Sequence, residues 1–165
     1  MSAIRSCNND DVPTILTIVN SAAEAYRGVI PPDRWHEPYM SPTQLHREIS
    51  GGVAFVGCEM DGELLGVMGI QSVRDADLIR HAYVRPDHQR HGVGALLIKH
   101  LLRQSSRQVL VGTWAAASWA VAFYQRHGFV LCSRERAVEL LRTYWTIPDR
   151  QIETSVVLAN PPLAR

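Results

Sequence analysis

Apolar and polar positions alternate along the chain in two distinct periods. After a short apolar stretch at Ala3–Cys7, read as a first strand, the polar run Asn8–Asp11 carries the capping side chains and acids of a helix start. Ile15, Ile18, Val19, Ala22 and Tyr26 then recur at intervals of three and four, which predicts one buried helix face ending at Gly28. Residues 29–41, with Pro31, Pro32 and Pro38, predict a loop. Ser41-Pro42 opens a second helix that Gly51-Gly52 stops near Ser50.

The period then changes. Val53–Met60 and Glu63–Val73 are apolar runs joined by Asp61-Gly62, a pair suited to a type I′ hairpin because both turn residues need positive φ. Leu78–Val84 is a third run, following a turn at Asp75-Ala76-Asp77 and ended by Pro86. Gly92 to about Gln104 predicts a strongly apolar helix with Val93, Leu96, Leu97, Leu101 and Leu102 on its buried side. A short strand at Val109–Thr113, a helix at Ala116–His127 with Trp119, Ala120 and Phe123 inward, and a strand at Phe129–Cys132 follow. Arg136–Trp145 reads as a helical turn or two. Gln151–Leu158 reads as a final strand, exposed enough to pair with a second copy as a homodimer, with residues 159–165 as a tail.

This order, β-α-α-β-β-β-α-β-α-β-(α)-β, predicts an α/β domain with one mixed sheet. The middle strands form an antiparallel meander, and the strand–helix–strand step through residues 78–113 is a right-handed parallel crossover. Nothing marks a boundary, so residues 1–165 are expected to form a single domain. At 46% hydrophobic residues, the chain is too apolar for disorder.

Charge adds one local feature. Of 17 positive and 16 negative groups, residues 1–79 hold five and 11, whereas residues 80–107 hold six (Arg80, Arg85, Arg90, Lys99, Arg103 and Arg107) against Asp87 alone. A net charge of +1 argues against a general nucleic-acid binder. No apolar run approaches a membrane span. The polar start has no signal core, and Cys7, Cys58 and Cys132 are scattered without metal-ligand spacing, so a cytoplasmic, reduced, metal-free protein is expected.

The basic block coincides with the sharpest motif, Arg85-Pro86-Asp87-His88-Gln89-Arg90-His91-Gly92-Val93-Gly94-Ala95, set between a strand and a helix. Its glycines permit tight turning and close approach, and the helix start offers free N–H groups and the positive dipole end, an arrangement suited to phosphate. A glycine-tolerant helix start with no ligand is the alternative. A P-loop is excluded because Ala95 and Leu96, not lysine and serine or threonine, follow Gly94. A dinucleotide fingerprint is excluded because Leu97 stands where its third glycine belongs.

Gln89-Arg90-His91-Gly92-Val93-Gly94 resembles the Gln/Arg-x-x-Gly-x-Gly/Ala signature of the GNAT superfamily of acetyltransferases. Ala120 through Phe129 is similar to the family's Ala-x-x-x-Tyr-x-x-x-Gly-Phe block, and the resemblance spans Ile4 to about Leu158. It implies a sheet with a splayed central parallel strand pair and acetyl-CoA held in the splay. The pantetheine arm would lie along Ala82-Tyr83-Val84, the pyrophosphate on the amides of Gln89, Arg90, His91, Gly92, Val93, Gly94 and Ala95, and Ala120, Phe123 and Tyr124 would flank the other side. The resemblance also implies Tyr124 as the general acid that protonates the leaving thiolate, and a backbone N–H near Ala82 or Tyr83 for the thioester oxygen. One departure is Ala117, where many members carry asparagine.

For a base, His81 is the first candidate because histidine titrates near neutrality. A packed histidine on a buried strand is the alternative, followed by Asp77, Glu59 or bulk water. Tyr26, Arg27, Trp35 and Tyr39 from the proline-rich region, with Trp114, Tyr144 and Trp145, are expected to line an acceptor pocket or else to pack at the domain edge. The expected function is N-acetyl transfer to a primary amine of a small molecule or peptide. The competing reading is an acyl-CoA-binding sensor without transfer.

Overall fold

The computed structural model describes residues 2–164. Strand β1 (Ser2–Ser6) leads through a 3₁₀ turn at Asn9–Asp11 into helix α1 (Val12–Ala22). The capping side chains expected there form a capping box: the Asn8 side chain accepts from the Asp10 N–H, and the Asp11 carboxylate accepts from the Asn8 N–H. Helix α2 (Pro42–Ser50) is capped by Ser41, whose hydroxyl accepts from the Gln44 N–H at 3.1 Å. Strands β2 (Ala54–Met60), β3 (Glu63–Val73) and β4 (Ala76–Val84) form the meander. Asp61 and Gly62, at φ 52° and 80°, make the expected two-residue hairpin. The next turn falls on Arg74-Asp75, not on residues 75–77, so β4 begins two residues earlier than expected.

Helix α3 (Val93–Gln104) crosses over to β5 (Gln108–Trp114), which runs parallel to β4. Helix α4 (Ser118–Arg126), strand β6 (Val130–Leu131), helix α5 (Arg134–Tyr144), helix α6 (Asp149–Glu153) and strand β7 (Ser155–Asn160) complete the chain. The seven strands are ordered β1-β2-β3-β4-β5-β7-β6. This is the mixed α/β sheet expected from the sequence. The last strand is not an exposed edge: β7 is flanked by β5 and β6, and it continues to Asn160 into what reads as tail. The expected homodimer edge is therefore largely covered.

Alternation sorts the core. Phe55, Leu64 and Val67 face α1 and α2, and Leu78, Leu110, Val157 and Ala159 face α5 and α6 on the same side. Val56, Cys58, Leu65, Met68, Ile79, Val109, Val111 and Leu158 face α3 and α4. Three sequence expectations fail here. Trp119 and Leu96 are exposed, at 45% and 43%. Arg134–Tyr144 is a full helix rather than a turn or two, because Ala137, Leu140 and Leu141 suffice to dock an otherwise charged segment.

Candidate active site

The site exists because two parallel neighbours separate. β4 and β5 pair only through Ala76–Ile79 and Gln108–Val111, although β4 runs on to Val84 and β5 to Trp114. Beyond Ile79 the facing edge of β4 has no strand partner, and a cleft of about 590 Å³ opens there. Ala82, Tyr83 and Val84 form one wall, Ala120, Phe123 and Tyr124 of α4 the other, and the loop residues Gln89, Arg90, Gly92, Val93, Gly94 and Ala95 the end.

The loop is held by bonds to backbone carbonyls of β3 and β4. The Arg85 N–H donates to the Leu65 carbonyl at 2.8 Å and its Nε to the Leu64 carbonyl at 2.7 Å, which ties the end of β4 to β3. The Gln89 side-chain Nε2 donates to the Val84 carbonyl at 3.2 Å. Arg90 and Gly92 adopt left-handed φ of 66° and 83°, which turn the chain sharply into the start of α3 beside the cleft. The first α3 bond runs from the Leu96 N–H to the Gly92 carbonyl, leaving the preceding amides for an anion. Gly94 is needed for space: a Cβ there would lie 3.1 Å from the Phe123 ring. An extended group carrying pyrophosphate fits this arrangement.

Tyr124 lines the cleft, only 5% exposed, edge-on to Phe123 and Phe129 at centroid distances of 5.1 and 5.5 Å. Burial, with a smaller contribution from Tyr26, raises its phenol well above the ordinary value, so it stays protonated at neutral pH. Tyr26 lines the cleft and stacks on the exposed Trp119 at 5.8 Å. Burial pushes its phenol up to about 12, and burial also raises Tyr83 far above its usual range, with Tyr26 and Tyr39 adding to the effect.

The remaining expected residues lie elsewhere. His91 is exposed and does not line the cleft. Trp114 donates from Nε1 to the Tyr39 hydroxyl at 3.1 Å and joins Trp35 in an aromatic cluster beside the cleft rather than in its wall. Arg27 is engaged by Glu24 and Glu37 and sits 4.5 Å over the Trp35 ring. Tyr144 is at the opposite end of the sheet, its hydroxyl bonded to Asp75 in the β3–β4 turn.

His81, expected as a base, points away from the cleft. Strict alternation from Ile79 would turn it toward α3 and α4. Instead β4 bulges opposite Met68, between the Val67–Tyr83 and Gly69–Arg80 pairs, and His81 takes a φ of 55°. Arg80 and His81 therefore project to the same side, where both reach Glu48 of α2 at 2.8 Å. Sequence reasoning also missed His88, Arg126 and His127 as cleft residues. The last two sit at the C-terminal end of α4 just before Gly128, a position the motif contains but does not single out. No aspartate or glutamate is among the described residues that line the cleft.

The profile of the acetyltransferase (GNAT) domain matches residues 5–144. The chain belongs to the GNAT acetyltransferase family. It is 24% identical over 165 residues to the [ribosomal protein bS18]-alanine N-acetyltransferase of Escherichia coli strain K12, covering 98% of each protein. The crystal structure of the ribosomal-protein-S18-alanine N-acetyltransferase from Escherichia coli superposes with a TM-score of 0.68 at 20% identity, covering 96% of this chain and 92% of that one. The PaiA N-acetyltransferase from Thermoplasma acidophilum, solved in complex with coenzyme A, gives 0.70 at 16% identity, covering 96% and 98%. As a GNAT acetyltransferase the chain is an acyltransferase, and acetyl-CoA is its donor. No helix among the described residues is long and apolar enough to cross a membrane.

Proposed function

We propose that this GNAT enzyme acetylates a primary amine, most simply the α-amine of a peptide or protein chain, by direct attack on the acetyl-CoA thioester. The observation that carries the reading is the Tyr124 hydroxyl, which lines the cleft where β4 and β5 separate and has no hydrogen-bond partner among the described residues. Its proton is free for a leaving group. An acyl-CoA sensor would have no use for a buried, protonated and uncommitted phenol at that position.

In this reading the amine nitrogen bonds to the carbonyl carbon, and the carbonyl oxygen takes up charge against a β4 backbone N–H near Ala82 or Tyr83. The C–S bond then breaks, and the thiolate takes the Tyr124 proton, which water restores. Among the described residues the cleft offers no carboxylate, so in this reading the amine proton leaves to water. Gln89 to Ala95 hold the pyrophosphate through backbone N–H groups, with Arg90, His88, Arg126 and His127 adding charge around them. Tyr26 and Trp119 form the aromatic face past which the acceptor enters.

A peptide acceptor draws support from the full-length similarity to the bS18-alanine N-acetyltransferase. The test is thiol release from acetyl-CoA with a panel of amines: peptides beginning with alanine, peptides with internal lysine, polyamines and free amino acids. Turnover confined to the N-terminal peptides supports the reading, and turnover confined to polyamines or amino acids overturns the peptide assignment.

A further inference from the structure

Glu48 and His81 form a buried acid–imidazole contact that the transfer chemistry leaves unused. Glu48 Oε2 and His81 Nε2 lie 2.8 Å apart, both are sealed from solvent, and neither atom makes a well-aligned hydrogen bond to any described group, the other included, so the short approach is the one polar contact either has. The contact sets a carboxylate oxygen against an imidazole nitrogen at ion-pair distance. Burial alone would raise the Glu48 carboxyl. The His81 contact and the charges of His81, Arg80 and Arg47 outweigh it and keep the group below its ordinary value, hence ionised. Arg80 donates to the other carboxylate oxygen at 2.8 Å, and the Phe55 ring stacks on the imidazole at 6.2 Å.

The contact falls on the one strained residue of the cleft-lining strand. His81 holds a left-handed φ of 55°, which a side chain with a Cβ adopts only under constraint. Its strand neighbour makes room: a Cβ on Gly69 would lie 2.8 Å from the Arg80 carbonyl. The residues that follow the bulge are Ala82 and Tyr83, which line the cleft. Without the left-handed turn, the β4 pleat would invert beyond Arg80 and aim different amides into the cleft.

We propose that the Glu48–His81 contact is a clamp that holds the β4 bulge in register and so aims the β4 backbone N–H near Ala82 or Tyr83 at the thioester carbonyl, which makes His81 a positioning residue rather than the base. The clamp also fastens α2, which follows directly on the proline-rich loop, to the strand that binds the donor. The proposal rests on the acetyl-transfer reading given above.

The test uses acetyl-CoA labelled with ¹³C at the carbonyl, and unlabelled CoA as a probe that lacks that carbonyl. In the wild type, a hydrogen bond from β4 moves the bound carbonyl resonance away from its free position. His81→Ala and Glu48→Gln are expected to lose most of that displacement while binding CoA within about twofold of wild type, since the pyrophosphate amides lie elsewhere. Thiol release with an N-terminal alanine peptide should fall about tenfold or more in kcat, with KM for acetyl-CoA little changed. His81→Asn, which tolerates left-handed φ and can donate to Glu48, should restore both signals. A His81→Ala protein with the wild-type resonance and kcat overturns the clamp alone. Loss of CoA binding in His81→Ala, Glu48→Gln and His81→Asn alike also overturns it, because the pair is then general scaffolding. Wild-type protein that binds neither probe overturns the acetyl-transfer reading itself.

Discussion

Replacing Tyr124 by phenylalanine removes one oxygen and tests whether that oxygen carries a proton to the thiolate. The ring is locked between Phe123 and Phe129 in the core cluster of α3 and α4, and phenylalanine refills its volume. No hydrogen bond to another described residue is lost, so folding stability should change by less than about 0.5 kcal/mol. Donor binding should be equally indifferent, because the loop amides are untouched. The chemical step should not be. General acid catalysis is worth about 10²–10⁴-fold, so kcat should fall by at least about 10²-fold, roughly 2.7 kcal/mol of barrier. Burial holds the phenol well above the usual tyrosine value, so Tyr124 does not titrate in the neutral range. The variant should therefore lower the whole pH–rate curve without moving its limbs. Thiol release from pH 6 to 9, with calorimetric CoA affinity and a melting curve on the same samples, measures all three quantities. A kcat within about threefold of wild type would falsify the acid role. A displaced alkaline limb would show that the phenol ionises despite its burial.

Three further substitutions probe separate layers of the structure. Gly94→Ala places a methyl 3.1 Å from Phe123, so the ring must shift into the cleft: CoA affinity should drop by about tenfold, while the melting temperature holds because helix propensity gains up to about 1 kcal/mol. His127 is held below the ordinary histidine value by burial and by Lys99 and Arg126, so an arriving phosphate should raise it. CoA binding should then take up a proton and tighten as pH falls through the range below about 6.5, a linkage read from buffer-dependent binding heats and absent in His127→Ala. Asp77 is buried and accepts from Ser72 at 2.7 Å, Ser105 at 2.6 Å and Arg107 at 3.4 Å, so Asp77→Ala should cost about 3 kcal/mol in urea unfolding. CoA affinity at low temperature should be unchanged, and a loss under about 1 kcal/mol would remove the network from the stability account.

What could be read from the chain in advance is what short-range stereochemistry decides. Asp61-Gly62 makes its hairpin because only those two residues need left-handed φ, and Asn8 and Ser41 start their helices with bonds that reach no further than three residues. The glycine loop is legible for the same reason. His81 is not. Its direction depends on a bulge made possible by Gly69 on a neighbouring strand and on Glu48 of α2, 33 positions earlier in the chain, and alternation along β4 alone gives the opposite face. The covered position of β7 is likewise invisible locally, because it depends on β6, a strand of two residues.

The basic stretch between residues 80 and 107 shows how far composition can mislead about a site. Arg80 is spent on Glu48 and Gln71, Arg85 on the Leu64 carbonyl, and Arg107 on Asp77 and the Arg74 carbonyl. Of the arginines in that stretch, only Arg90 lines the cleft, where it is joined by His88 and, from outside the stretch, by Arg126 and His127. Three of the six positive groups thus brace β4 and the strand turns, and in the proposed function the anion is left mainly to backbone amides at the start of α3. Amide dipoles are fixed and partly shielded from solvent, whereas side-chain charges on the surface are screened by salt. Donor affinity in this enzyme should therefore weaken little between low and physiological ionic strength, and a steep salt dependence would mean that the side chains, not the loop backbone, hold the phosphates.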